Sequence, residues 1–203
     1  MTERERMLKG LIYDPMDKEL VALKVKCHKL CYEYNNSFED EIEKRETILK
    51  EMDIKLGNNV YLQGPIYFDY GCHISMGDNS YANFNFTVLD TCTVTIGKNV
   101  FFGPGVNIMT PIHPLRADDR KIYRSEKGYY TDKEYGKPIV IEDNVWVAAN
   151  VTICGGVKIG SGSVIGAGSV VTRSIPANVF ACGNPCKVKR AITEEDKIDS
   201  SLL

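Results

Sequence analysis

The sequence predicts a mainly β fold, a triangular parallel β-helix built from hexapeptide repeats, with a helical cap at its N-terminal end. Three observations carry this. Ile141, Val147, Ile153, Ile159, Ile165 and Val171 recur six apart without a slip. The same beat runs upstream through Leu56, Leu62, Phe68 and Ile74, resumes two positions on at Met76, Ala82, Val88 and Val94, and two on again at Ile96, Phe102 and Ile108. The first fifty-odd residues instead carry the three-and-four spacing of amphipathic helices. A period of six belongs neither to a helix nor to an ordinary strand. It is the period of one face of a three-sided coil, in which each aliphatic points inward and stacks on the coils above and below. A β-sandwich would require sustained period-two alternation and hairpin turns, and neither is present.

The cap spans residues 1–55. Thr2 with Glu5 has capping-box spacing. Asp14-Pro15 reads as an N-cap followed by proline at the first helical position. Leu20, Leu23, Cys27, Leu30, Cys31 and Tyr34 then form an apolar stripe, broken at Asn35-Asn36-Ser37. Ser37 with Asp40 resembles a second cap, Ile42, Ile48, Leu49 and Met52 continue on one face, and Glu41–Arg45 and Glu46–Lys50 have favourable i,i+4 spacing. The coils follow over 56–190. Glycines such as Gly160 and Gly166, placed after the inward aliphatic, are expected at turns between faces where positive φ is cheap. The repeat is interrupted over 110–138 by a stretch rich in charge and tyrosine, long enough to suggest a functional loop. In it sits His113, in the segment Thr110-Pro111-Ile112-His113-Pro114. A tail of 191–203 completes the chain.

Bulk composition narrows the class. A net charge of −2, with both signs dispersed, argues against a nucleic-acid protein. No run approaches eighteen apolar residues, so no membrane span is expected. The start is charged and unlike a secretory signal. Seven cysteines at irregular spacing read as reduced thiols in a cytoplasmic protein. Cys27 and Cys31 are expected to pack, and Cys182 and Cys186 have no further ligand pair near them for zinc.

The hexads, the inserted loop, YANFN at 81–85, IHP at 112–114, GKPIVIEDNVW at 136–146, IGAGSVVT at 165–172, GNPCKV at 183–188 and the MLKGLIYDP segment at 7–15 together resemble the maltose and galactoside O-acetyltransferases. The resemblance covers essentially the whole chain. It implies a left-handed β-helix, a homotrimer with active sites between adjacent subunits, acetyl-CoA as co-substrate, a sugar hydroxyl as acceptor, and no metal in the chemistry. His113 matches the family's base, and histidine suits proton transfer near neutrality. Asn83 matches an acceptor-site asparagine, and as a plain residue it reads as a corner position tolerating a left-handed turn. Tyr81 matches a pocket-lining residue, and Asp14 an acceptor-binding aspartate as well as a helix cap. Asp69 falls where a polar acceptor contact is placed. Asp90 lies near another, although strict register falls on Thr91. On the donor side Trp146, Ala149, Ala167, Thr172 and Arg173 match positions along the pantetheine arm, Ala149 standing where a relative has serine. Lys187 and Arg190 match basic residues that meet the nucleotide phosphates. His28 is expected to be structural or exposed, and His73, preceding inward Ile74, is expected to point outward.

Three other functions fit the residues less well. A zinc hydratase on the same fold needs three converging histidines, and His28, His73 and His113 are scattered. An antibiotic O-acetyltransferase typically lacks the N-terminal cap. A purely structural β-helix would not need His113, Asn83 and the cap together. No cysteine matches a catalytic place, so direct transfer through a ternary complex is expected.

Overall fold

The computed structural model describes residues 1–199 and 201, so the end of the expected tail lies outside the described residues. Three parallel sheets fold into a prism. The first face stacks Lys55–Leu56, Ile74–Met76, Val94–Ile96, Ile139–Ile141 and Lys158–Ile159. The second stacks Tyr61–Leu62, Tyr81–Ala82, Phe101–Phe102, Trp146–Val147, Val164–Ile165 and Val179–Cys182, and is closed by the antiparallel strand Lys187–Ala191. The third stacks Ile66–Phe68, Phe86–Leu89, Asn107–Met109, Thr152–Cys154 and Val170–Val171.

The register places the predicted aliphatics in columns. Leu62, Ala82, Phe102, Val147 and Ile165 align down the second face. Phe68, Val88, Ile108, Ile153 and Val171 align down the third. None of these ten is more than 2% exposed, so each contributes the full transfer free energy of its side chain, about 1.5–3 kcal/mol for the larger ones. The two-residue shifts in the sequence also acquire a cause. Ile74 and Met76 both face inward on one strand, as do Val94 and Ile96. Ile139 and Ile141 repeat that pair, so the two extra residues of the early coils lie between the third and first faces, where equivalent positions are eight apart from Phe68 to Met76 but six apart from Ile153 to Ile159.

The corners differ from expectation. The left-handed positions at the corner after the first face are held mainly by asparagine: Asn59, Asn79, Asn99 and Asn144 have φ of 54°, 57°, 53° and 60°. Their side chains form rungs, with Asn59 Nδ2 donating to Asn79 Oδ1 and Asn99 Nδ2 to Asn144 Oδ1, both at 3.1 Å. Gly160 and Gly166 do not have positive φ. They are glycines because the next coil lies too close for a side chain: a Cβ on Gly160 would meet Pro176 carbonyl carbon at 2.7 Å, and one on Gly166 would meet Cys182 Cβ at 2.7 Å.

The cap has three helices, α1 (Glu3–Leu8), α2 (Lys18–Asn35) and α3 (Ile42–Glu51). The Thr2–Glu5 capping box is present. The N-cap of α2 is Asp17, whose carboxylate accepts from Glu19 N at 3.0 Å, and not Asp14. Likewise Ser37 does not cap α3, which begins after Glu41. The Ser37 hydroxyl donates to Tyr34 O and accepts from Arg45 Nε at 3.0 Å. That buried arrangement takes Arg45 away from Glu41, which pairs with Lys44, while Glu46–Lys50 forms at 3.8 Å. The buried stripe of α2 lies on the third face. Asn35 there pairs with both backbone groups of Ile66, at 2.8 and 2.7 Å, serving the edge of the first coil as another strand would. No helix is long and apolar enough to cross a membrane.

The interruption at 110–138 is not irregular. Pro111–Ile112 pairs antiparallel with Tyr135–Gly136, and Tyr123–Arg124 with Tyr130–Thr131. Beneath it the first face closes without a gap, Val94 opposite Ile139 and Ile96 opposite Ile141.

Candidate active site

His113 leaves the prism at the corner between the third and first faces, at the end of the ribbon begun by Pro111. Pro111 and Pro114 fix φ on both sides and so limit where the imidazole can point. Its Nδ1 lies 3.4 Å from Asp132 Oδ2, and its side chain is 49% exposed. A carboxylate at Nδ1 favours the tautomer whose Nε2 is free to accept a proton. Beside this pair runs Glu134, whose carbonyl accepts from Tyr13 N at 3.2 Å and whose Oε1 accepts from Thr91 Oγ1 at 3.5 Å. Burial pushes the Glu134 carboxyl above the ordinary range, with Lys24 and His113 opposing.

Asp14 is the tie between cap and loop. Its carboxylate accepts from Thr131 Oγ1 at 2.7 Å, from Met16 N at 3.1 Å and from Tyr129 Oη. Burial pulls its pKa upward, but the hydrogen bonds from Tyr129, Thr131 and Met16 prevail and hold it below the usual value. Asp69 lies on the outer side of the third face, its Oδ1 3.6 Å from His28 Nε2. The two border a groove of about 410 Å³ between α2 and the third face, with Tyr32, Tyr67, Phe68 and Leu89 as its apolar lining. Asp90 stands apart from any surface. It is 0% exposed and its carboxylate accepts from Tyr70 N at 2.8 Å and His73 N at 3.2 Å, bracing the corner of the preceding coil. That geometry corrects the expectation of an acceptor contact at Asp90. His73 is likewise buried, 8% exposed; it faces outward from the prism beside Ser75 and Thr95, and α1 covers it there through Arg4 and Leu8.

A second group of expected residues occupies the second face and the corner beyond it. Tyr81 stacks on Tyr61 with ring centroids 6.0 Å apart. The outward column continues through Phe101 and Trp146, each about half exposed. Asn83 follows inward Ala82, and its Oδ1 accepts from Phe84 N at 2.7 Å. The left-handed residue of that corner is Asn85, not Asn83. Ala149 and Ala167 stand at the equivalent corner two and three coils on, half-buried and exposed. Lys187 and Arg190 project from the closing strand of the same sheet. The Arg190 guanidinium is held by Asp196 in a two-pronged pair at 2.6 and 2.7 Å, which pulls the Asp196 carboxyl down to about 2. Thr172 and Arg173 are exposed beyond the third face.

One chain therefore carries two half-sites on different corners of the prism. His113, Asp132, Asp14 and Glu134 form one. Tyr81, Asn83, Trp146, Ala149 and Ala167 form the other. No hydrogen bond or ion pair joins them among the described residues. Sequence reasoning missed Asp132, Glu134, Tyr129 and Thr131 as neighbours of His113 and Asp14. The run Thr131-Asp132-Lys133-Glu134 shows two carboxylates in the loop, but only the antiparallel pairing of the loop's two ends brings them back to His113.

Residues 6–52 match the family model of the maltose acetyltransferase hexapeptide capping motif, and residues 138–173 match the bacterial transferase hexapeptide model of six repeats. The chain is 43% identical over 197 residues to the galactoside O-acetyltransferase of Escherichia coli K12, covering 97% of this chain and 92% of that one. A crystal structure of a maltose O-acetyltransferase from Clostridium difficile 630 superimposes with a TM-score of 0.87 at 44% identity, covering 96% and 99% of the two chains. A galactoside acetyltransferase in complex with coenzyme A also gives 0.87, at 41% identity, covering 98% and 96%.

Proposed function

Because the chain belongs to the maltose and galactoside O-acetyltransferase family of hexapeptide-repeat proteins, we propose that it transfers the acetyl group of acetyl-CoA to a sugar hydroxyl, with His113 as general base. The observation that carries this reading is the placement of His113 between two prolines with Asp132 on its Nδ1. Nε2 takes the proton of the acceptor hydroxyl as its oxygen attacks the thioester carbonyl carbon. The tetrahedral oxyanion then collapses, the carbon–sulfur bond breaks, and the proton passes from His113 to the departing thiolate. Charge on the oxyanion needs donors already aimed at it. The side-chain amide of Asn83 and the backbone around Ala149 are assigned that task, with Trp146, Ala167, Thr172 and Arg173 along the donor and Lys187 and Arg190 on its phosphates. Asp14, Asp69 and Tyr81 are assigned to the acceptor side.

The two half-sites meet only if a second copy supplies one of them, so we assign the active form to a homotrimer with sites between subunits. The outward column Tyr61, Tyr81, Phe101 and Trp146, in which Tyr81 is half-buried and the other three are exposed, supports association, since aromatic residues of that number on one face favour burial. The test is CoA thiol release from acetyl-CoA with a panel of sugars, alongside sedimentation to fix the oligomer. Sugar-dependent release that falls about a hundredfold or more in His113→Ala matches loss of a general base. Release unchanged in that variant overturns the assignment. A folded trimer inert toward every sugar rejects the acceptor class.

A further inference from the structure

Away from both half-sites, α1 and the first face flank a separate, half-open cavity of about 280 Å³. Arg4 reaches it from α1. Lys55, Ser75 and Thr95 project into it from successive strands of the first face, and His73 and Thr93 border it at the corner. Two of these residues bring buried polar atoms that lack any hydrogen-bond partner, Arg4 Nε and His73 Nε2. The His73 side chain is only 4% exposed. Its Nδ1 lies 2.8 Å from Asp90 O. A carbonyl only accepts, so Nδ1 carries the proton and Nε2 is left as the unpaired end of the ring. A native interior rarely leaves such atoms without a partner. Nearby acids do not answer them: Glu19 lies 3.7 Å from Arg4 Nη1, and Asp90 Oδ2 lies 3.8 Å from His73 Nδ1, behind the ring.

A guanidinium, an ammonium and an imidazole around one space lined by three hydroxyls form the donor set of an oxyanion site. We propose that this cavity binds a phosphate group, as free phosphate or a phosphate monoester, between Arg4 Nε and His73 Nε2 with Lys55 adding charge. On binding, Nε2 takes a proton from solvent and turns from acceptor to donor. Until then, burial and the neighbouring Arg4 keep the ring neutral, with the Asp90 contacts opposing. The bound anion would staple α1 to the first coil. Because α1 leads directly into the Tyr13–Asp14 segment docked on the His113 loop, occupancy would also steady that docking.

The three histidines make the test direct, since each imidazole can be assigned by substitution in a long-range nitrogen–proton NMR spectrum. Inorganic phosphate is titrated against chloride at matched ionic strength, with CoA in excess so that donor-groove phosphate contacts are already filled. The expected result is a saturable change of the His73 Nε2 signal to the protonated form, with an apparent Kd of about 1 mM, appropriate to a few charged contacts. Lys55→Gln, an exposed position that leaves the core intact, is expected to weaken binding about fivefold. Phosphate is expected to raise the melting temperature of wild type, and the rise is expected to vanish in His73→Gln. Glycerol phosphate in parallel separates the sources: tighter binding than inorganic phosphate assigns a monoester, and weaker binding assigns the free ion. A His73 signal that phosphate leaves unmoved overturns the proposal, as does a midpoint identical in wild type and Lys55→Gln.

Discussion

Replacing Asp132 by Asn tests the His113 half-site most sharply, because it removes charge while keeping an oxygen that can accept from Nδ1. In the transition state the imidazole becomes an imidazolium facing the carboxylate. At the observed separation of 3.4 Å, Coulomb attraction between unit charges is about 1 kcal/mol at the dielectric of water and about 5 kcal/mol at an effective value of 20. The side chains are 49% and 29% exposed, which places the pair near the lower end. A loss of about 1 to 1.4 kcal/mol corresponds to a five- to tenfold fall in kcat. KM for acetyl-CoA should hold, since the imidazolium charge that Asp132 stabilises develops only in the transition state and not on donor binding. Asp132→Ala, which loses orientation as well, should fall further, and Asp132→Glu should recover part of the rate. The assay is CoA thiol release under saturation with both substrates. An Asp132→Asn enzyme with wild-type kcat would refute the pairing. A loss as deep as that of His113→Ala would refute its secondary rank.

Ile153→Ala, in the middle of the third-face column and 0% exposed, should cost about 2–5 kcal/mol in denaturant unfolding; a smaller effect would mean the column is loosely packed. Gly97→Ala should cost about 3 kcal/mol, because its Cβ would meet Asp143 N at 2.7 Å and the backbone cannot yield. Gly168→Ala, left-handed but with open space around it, should cost only about 1–2 kcal/mol; reversal of that order in thermal melts would reject the close-approach account. Asp14→Asn should speed amide exchange over 129–131 about tenfold, the size of one charge-assisted hydrogen bond. Because the folded Asp14 carboxyl titrates below its ordinary 3.8, the tie is fully present above that value and is lost as the pH falls through the lower folded one; exchange that is insensitive to acid there would contradict it. Asp196→Asn should free Arg190 and lower KM for acetyl-CoA about threefold, whereas an unchanged KM would take Arg190 out of phosphate binding.

The columns of the prism were legible because an inward side chain has one acceptable chemistry and recurs at a fixed interval, so seventeen positions from Leu56 to Val171 could be read from spacing alone. The corners were less so. Asn59, Asn79 and Asn99 repeat at intervals of twenty, a signal present in the sequence, but a left-handed asparagine and a surface asparagine look alike until φ is known. Gly160 and Gly166 look the same whether they serve a torsion or a close approach, and only the neighbouring coil distinguishes them. Asp14 misled for a different reason. Asp-Pro is a good local helix start, yet the groups that claim its carboxylate, Tyr129 and Thr131, are over a hundred residues away. The loop hid Asp132 and Glu134 because short ribbons two residues wide carry no period. Asp90 was displaced from the expected surface because its partners are backbone amides, which sequence does not distinguish.

The unbroken ladder beneath the inserted loop says how such a fold can acquire chemistry. Successive inward residues of the first face lie 18 positions apart from Ile141 to Ile159 and 45 apart from Ile96 to Ile141, yet the strands pair in the same register. By loop-closure entropy, lengthening a connection in that ratio costs only about 0.8 kcal/mol. A repeat scaffold can thus extrude a catalytic segment between two coils almost without thermodynamic penalty, and exchange it for another while every rung below stays in place.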